Sequence, residues 1–303
     1  MRILILGGTG MLGHRLWMDL SPIHETHVAI RGSGEQVPVR RELPRGLLHE
    51  GVDAASFARV AETIQRVRPD IVVNCVGVVK QSPLAVDPIT SLELNSLLPH
   101  RLAQACLANE RRLIHLSTDC VFSGARGFYS EGDAPDPVDL YGHSKLLGEV
   151  AGSGCLTLRT SFIGRELRDR RGLLEWFLAQ KEPIRGYTMA IFSGLTTLEL
   201  SRILLELVLP REDLQGVYHV AGSAISKHDL LCLARDAYGK EIEIIPDSAF
   251  VCDRSLDGRK FAHATGYRAP DWPVLVEELA RNSGFYEVAE RQGGSTRMGA
   301  SFR

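Results

Sequence analysis

Arg2-Ile3-Leu4-Ile5-Leu6-Gly7-Gly8-Thr9-Gly10-Met11-Leu12-Gly13 opens as a short apolar strand and breaks into a glycine-rich turn. Met11, Leu12, Leu16, Trp17 and Leu20 then recur at helical spacing. A strand, a glycine turn and a helix in that order let backbone approach a pyrophosphate closely. The helix N-terminus adds unpaired N–H groups and the positive end of its dipole. Gly7, Gly10 and Gly13, with Met11 and Leu12 on the first helical turn, are therefore candidate contacts to a dinucleotide.

Beyond this unit, strand and helix patterns alternate. His27–Ile30 reads as a second strand, and a Gly/Pro/Arg-rich connection fills 31–50. A helix is expected over 53–66, a strand over Asp70–Asn74, a long helix over roughly 86–109 and a strand over Arg112–Leu116. A helix starts near Tyr141, and Cys155–Arg159 is a fifth strand. The alternation predicts an α/β fold, a Rossmann-type doubly wound parallel sheet. Past residue 160 the pattern loosens. Helices are expected near 172–181, 195–208, 227–238 and 272–281, and strands near 188–192, 216–220 and 241–245. The expected division is a mainly NAD(P)-binding domain over 1–160 and a small substrate-binding lobe over 161–285, with some segments returning to the sheet. The glycine-rich, polar stretch 286–303 reads as a flexible tail.

Composition narrows the function classes. The 303 residues are 44% hydrophobic and 24% charged, ordinary for a globular chain. Lys+Arg number 35 against 37 Asp+Glu, so no basic excess points to nucleic acid. No apolar run reaches the ~18–20 residues that span a bilayer, and the N-terminus enters a strand at once, without a signal-peptide pattern. Neither nucleic acid nor a membrane is expected as a partner, and the expected location is the cytoplasm. The six cysteines are scattered without a C-x-x-C pair and read as free thiols. His24-Glu25-Thr26-His27 has the wrong spacing for a helical zinc site, so no metal is expected.

The end of the second strand bears on cofactor choice. An acidic residue there would bond the adenosine ribose and favour NAD. Arg31-Gly32-Ser33 stands there instead, and a guanidinium suits a 2′-phosphate, so NADPH is favoured, with NADH left open. Asp53 reads equally as a contact to the adenine amine or as a plain helix cap. Cys75, Val76 and Gly77 end the third strand with small residues where the cofactor should pass.

Tyr141-Gly142-His143-Ser144-Lys145 places a phenol and an ammonium one helical turn apart, on one face. A free phenol has a pKa of ~10, and a nearby ammonium favours its ionised form. Tyr141 can then give a proton to a ketone oxygen while hydride reaches the carbon, with Lys145 also holding the nicotinamide ribose. A hydroxyl to align that oxygen is offered at the end of the fourth strand, by Thr118 first and Ser117 second. Carbonyl–alcohol redox chemistry is the reading these residues support.

These segments resemble the extended short-chain dehydrogenase/reductase superfamily, and within it the dTDP-4-dehydrorhamnose reductase-like family. The likeness covers about residues 1–280 and is strongest over 1–165. It is carried by Leu116-Ser117-Thr118-Asp119-Cys120-Val121-Phe122-Ser123-Gly124, by Tyr141 and Lys145 in their helix, by Leu158–Phe162 and by Gly216–Gly222. The resemblance implies that Thr118 bonds the keto oxygen, that Asp119 lies close to the sugar, that Tyr141 and Lys145 are catalytic, and that Phe162 touches the sugar. Phe162 stands where the family often has Trp, Cys120 replaces an aromatic residue, Gly194-Leu195-Thr196 lacks a proline, and Arg254-Ser255 replaces an Arg-Pro pair. All these departures are on the sugar side. They leave open a related nucleotide-linked sugar, UDP-linked and N-acetylated among them.

Four further residues are weighed on the sugar side. Lys80 could face the substrate or remain a solvated loop lysine. Arg165 and Arg254 suit a diphosphate, or could form salt bridges. Trp176 fits core packing better than base stacking. The expected function is NADPH-dependent reduction of the C4 ketone of a nucleoside-diphosphate 4-keto-6-deoxy sugar, for bacterial surface polysaccharide, by a chain that could be a homodimer. Two alternatives stay open: a sugar-nucleotide epimerase or dehydratase of the same superfamily, and a non-catalytic NADP-binding regulatory subunit.

Overall fold

The computed structural model describes residues 1–37, 43–44, 47–168 and 170–287. Six strands in chain order, β1 (Arg2–Leu6), β2 (Glu25–Ala29), β3 (Leu47–His49), β4 (Ile71–Asn74), β5 (Arg112–Ser117) and β6 (Cys155–Arg159), join the late strand Gly216–His219 in one sheet. Its order is Gly216–His219, β6, β5, β4, β1, β2, β3. All neighbours are parallel. The expected Rossmann-type doubly wound sheet is what the chain forms. β3 falls within the stretch expected to be a plain connection; it is a three-residue edge strand with Leu47 half exposed, too short to show a period of its own.

Side chains alternate across the sheet, and two cores result. Ile3, Ile5, Ile71, Val73, Ile114, Leu116, Leu156 and Leu158 face one side, against α1 (Met11–Leu20) and the helix Thr197–Ile203. Leu4, Leu6, Val72 and Leu113 face the other, against α2 (Phe57–Val67) and the helix Leu98–Leu107. Strands buried on both faces read as continuous apolar runs, which is why β1, β4 and β5 were plain in the sequence.

The long helix expected over 86–109 is a short α-helix, Pro88–Ser91, a π-helical turn, Leu92–Leu97, and a second α-helix, Leu98–Leu107. After β6 the chain forms short pairings: Phe162–Ile163 with Leu195–Thr196, Ala190–Phe192 between Ile225–Ser226 and Cys252–Asp253, and Ile184–Tyr187 with Ile244–Asp247. The late strand then returns to the sheet beside β6. Of the stretch 286–303, Tyr286 is buried and Glu287 is also placed; residues 288–303 lie outside the described ones. Among the described residues, no helix is long and apolar enough to cross a membrane and no cluster of His, Cys, Asp and Glu could hold a metal ion.

Candidate active site

Strand order reverses between β1 and β4, and the loops leaving these two strands meet at the carboxyl edge of the sheet. Such a switch point is where open α/β sheets bind ligands. Gly7 has a φ of +83°, and a Cβ there would lie 3.1 Å from the backbone of Cys75. A Cβ on Gly13 would come within 2.2 Å of the Gly7 carbonyl oxygen, so only glycine lets α1 start this close to the turn. Gly10 is the N-cap of α1 and supplies no side-chain cap. The first-turn N–H groups are therefore left for an anion, and the turn fits a pyrophosphate. Met11 begins α1 and leans towards Gly172, while Leu12 is turned into the core.

Arg31 is exposed just beyond β2. Asp53, also exposed, accepts a hydrogen bond from the Ala55 backbone (3.1 Å), whereas the N-cap of α2 is Ser56. Cys75, Val76 and Gly77 run from the glycine turn towards Lys145; a Cβ on Gly77 would lie 3.9 Å from Lys145 Nζ. The cofactor-side residues expected from sequence thus follow one another along the carboxyl edge.

Asp139 caps the helix Leu140–Leu147 by accepting from the Gly142 N–H (2.8 Å), a signal present in the sequence as an Asp ahead of an apolar turn. Gly142 then lets that helix touch the turn after β5: a Cβ on it would fall 2.3 Å from the Cys120 carbonyl oxygen. This close approach brings Tyr141 beside Thr118, whose hydroxyl is among the groups that act on the phenol. Thr118 also accepts from the Cys120 N–H (3.1 Å) and donates to Asp119 (3.1 Å). Ser117, the second choice, is committed elsewhere: its hydroxyl donates to Glu149 (2.7 Å).

Electrostatics in the site differ from the sequence expectation in one respect. Lys145 donates from Nζ to the Leu116 carbonyl (2.5 Å) and is not among the leading influences on Tyr141. Burial is the largest influence on the phenol and pushes its pKa above the ordinary value; Cys120 acts in the same direction and Thr118 in the opposite one. The phenol is thus kept protonated, as a proton donor must be. Burial pulls Lys145 down to about 8, against the favourable field of Glu149. Asp119 is raised by burial, with Arg254 and Lys227 opposing.

The sugar-side residues divide. Phe162 is half-buried at the start of its short strand, packed on the core. Lys80 pairs with Asp139 (2.9 Å), the cap of the tyrosine helix. Arg254 donates from Nε to the Phe122 carbonyl (2.8 Å) and lies in the field of Asp119. Arg165, expected at a diphosphate, is instead turned into the core. Its Nε pairs with Glu175 (2.7 Å), both side chains being 5% exposed or less, and its guanidinium lies over the Tyr286 ring. The opposing carboxylate is ten residues away on the next helix, where no local pattern announced it.

Asn95 sits in the π-helical turn, accepts from the Val78 N–H (2.8 Å) and donates to Ser144 (3.0 Å), so it braces the tyrosine helix. Two features were not foreseen. Glu149 forms a buried bidentate pair with Arg159 (2.7 and 2.8 Å), which in turn donates to His219 (3.2 Å). Lys227 and Tyr187 line a pocket of about 210 Å³ with Trp176, Leu173 and Leu231.

The family model described as RmlD substrate binding domain matches residues 1–283. A probable low-salt glycan biosynthesis reductase, Agl14 of Haloferax volcanii, is 29% identical over 83% of this chain and 83% of its own. The dTDP-4-dehydrorhamnose reductase of Salmonella typhimurium is 26% identical over 92% of this chain and 97% of its own. The crystal structure of a dTDP-4-dehydrorhamnose reductase from Bacillus anthracis, in complex with NADP, superposes with a TM-score of 0.75 at 20% identity, covering 92% of this chain and 96% of that one.

Proposed function

We propose, since the chain belongs to the RmlD substrate binding domain family of extended short-chain dehydrogenases/reductases, that it is an NADPH-dependent reductase of the C4 ketone of a nucleoside-diphosphate 4-keto-6-deoxy sugar. The observation that carries this reading is the paired hydroxyls of Thr118 and Tyr141 beside the buried Lys145, at the carboxyl edge of the sheet. The reductases of Salmonella typhimurium and Haloferax volcanii support the reaction class and the glycan context.

In this reading Gly7, Gly10 and Gly13 seat the pyrophosphate, Arg31 meets the 2′-phosphate, and Cys75, Val76 and Gly77 lie under the cofactor. NADPH, when bound, supplies the hydride. Thr118 orients the ketone oxygen, and Tyr141 gives it a proton. Lys145, tied to the Leu116 carbonyl, keeps a positive charge beside the forming oxyanion. Asp119 and Phe162 border the sugar. The reaction runs in the cytoplasm and serves surface polysaccharide synthesis.

NADPH consumption with a dTDP- or UDP-linked 4-keto-6-deoxy sugar tests the reading directly. Oxidation of NADPH strictly dependent on the keto sugar is expected. Failure with both, together with NAD that stays bound through purification, would favour an epimerase or dehydratase instead.

A further inference from the structure

Lys227 is the first residue of the helix Lys227–Ala237, and its neighbours divide into two groups. On one side it lies in the field of Asp119, Cys120 and Cys252, with Lys80 opposing; Asp119 and Cys120 belong to the turn that follows Thr118. On the other it lines the pocket of about 210 Å³ walled by Leu173, Trp176, Tyr187 and Leu231. The ammonium is half-buried and makes no hydrogen bond or ion pair with any described residue. A cation held out of water without a partner is costly, and burial accordingly lowers its pKa.

Charge near this position is unbalanced. Lys80 is held by Asp139 (2.9 Å). Arg254 uses its Nε on the Phe122 carbonyl, which leaves its terminal nitrogens without a hydrogen bond among the described residues. Asp119, itself raised by burial, is the one carboxylate that acts on both Lys227 and Arg254; Asp139 also acts on Arg254 but is already paired with Lys80. A surplus of positive charge thus lies between the paired hydroxyls and an aromatic-walled pocket. A sugar nucleotide presents its parts in the same sequence: reacting sugar, diphosphate, base.

We propose that Lys227 binds the diphosphate of the substrate, a role the sequence offered to Arg165 and Arg254, and that the Trp176–Tyr187 pocket receives the nucleobase. This rests on the sugar-nucleotide reading above.

The test is calorimetric binding of dTDP and of UDP to the full-length protein saturated with NADPH, for the parent, Lys227→Met and Lys227→Arg. Lys227→Met should weaken the preferred diphosphate about 10- to 100-fold, the usual effect of losing a hydrogen bond to a charged group. Lys227→Arg should keep most of the affinity. NADPH affinity should be unchanged in both, the melting temperature should not fall in either, and the KM for sugar nucleotide should rise in Lys227→Met more than kcat falls. Equal diphosphate affinity in parent and Lys227→Met would overturn the assignment alone. If neither dTDP nor UDP binds the parent, the sugar-nucleotide reading falls, and the role of Lys227 with it.

Discussion

Burial keeps the Tyr141 phenol, beside Thr118, protonated. Replacing Tyr141 with Phe removes the proton while leaving the ring, so turnover should drop about 100-fold or more. NADPH affinity, which the proposal assigns to the glycine turn, should hold; steady-state kinetics and cofactor titration check the two halves. The pH profile should be governed by Lys145, pulled down to about 8. Its charge is present below that value and lost above it, so the rate of reduction should decline as pH rises through about 8. Phenol ionisation should cause no loss in that range, since the Tyr141 pKa lies above its ordinary value. A rate that stays flat to well above pH 8 would remove Lys145 from the chemistry. Tyr141, Thr118 and Lys145 were legible in the sequence because their spacing sits on one strand end and one helix. The commitment of Arg165 to Glu175 and the lack of a partner for Lys227 were not legible, because both depend on where separate elements fold together.

At the scale of the element, the tyrosine helix is set by its contacts on two sides. Gly142 abuts the Cys120 carbonyl, and a Cβ on Gly148 would sit 1.8 Å from the Asn95 carbonyl oxygen. Gly142→Ala should therefore push Tyr141 away from Thr118 and depress kcat, with NADPH binding retained. Beyond the helix, Glu149 joins it to β6 through Arg159, with both side chains 8% exposed or less. Glu149→Ala leaves the guanidinium buried and unpaired, a loss of about 3–5 kcal/mol. A melting temperature within a degree or two of the parent would refute that. In the first half the helices were legible by their period, and β1, β4 and β5 by their continuous apolar runs, whereas β3 and the π-helical break at Leu92–Leu97 showed neither signal. The two- and three-residue strands of the later half were not, since they are shorter than any period that could reveal them.

The whole molecule carries histidines that burial keeps neutral. His14 and His219 are both fully buried and are both pulled down to about 4, with burial the leading cause. Unfolded histidine titrates at about 6.5, so below that pH the unfolded chain takes up protons that the folded one refuses. Stability should thus fall as pH drops from about 6.5 towards 4, by on the order of 2 kcal/mol for each residue at pH 5. Urea unfolding at pH 7 and pH 5 measures it; equal midpoints would mean that both imidazoles accept protons within the fold. His14 has one more consequence. Its Nδ1 donates to the Gly10 carbonyl (2.8 Å), while its Nε2 accepts from the Tyr286 hydroxyl (2.7 Å), 272 residues along the chain. Anyone trimming this protein for crystallisation should therefore cut beyond Tyr286, because a shorter version would deprive the glycine turn of its distant anchor.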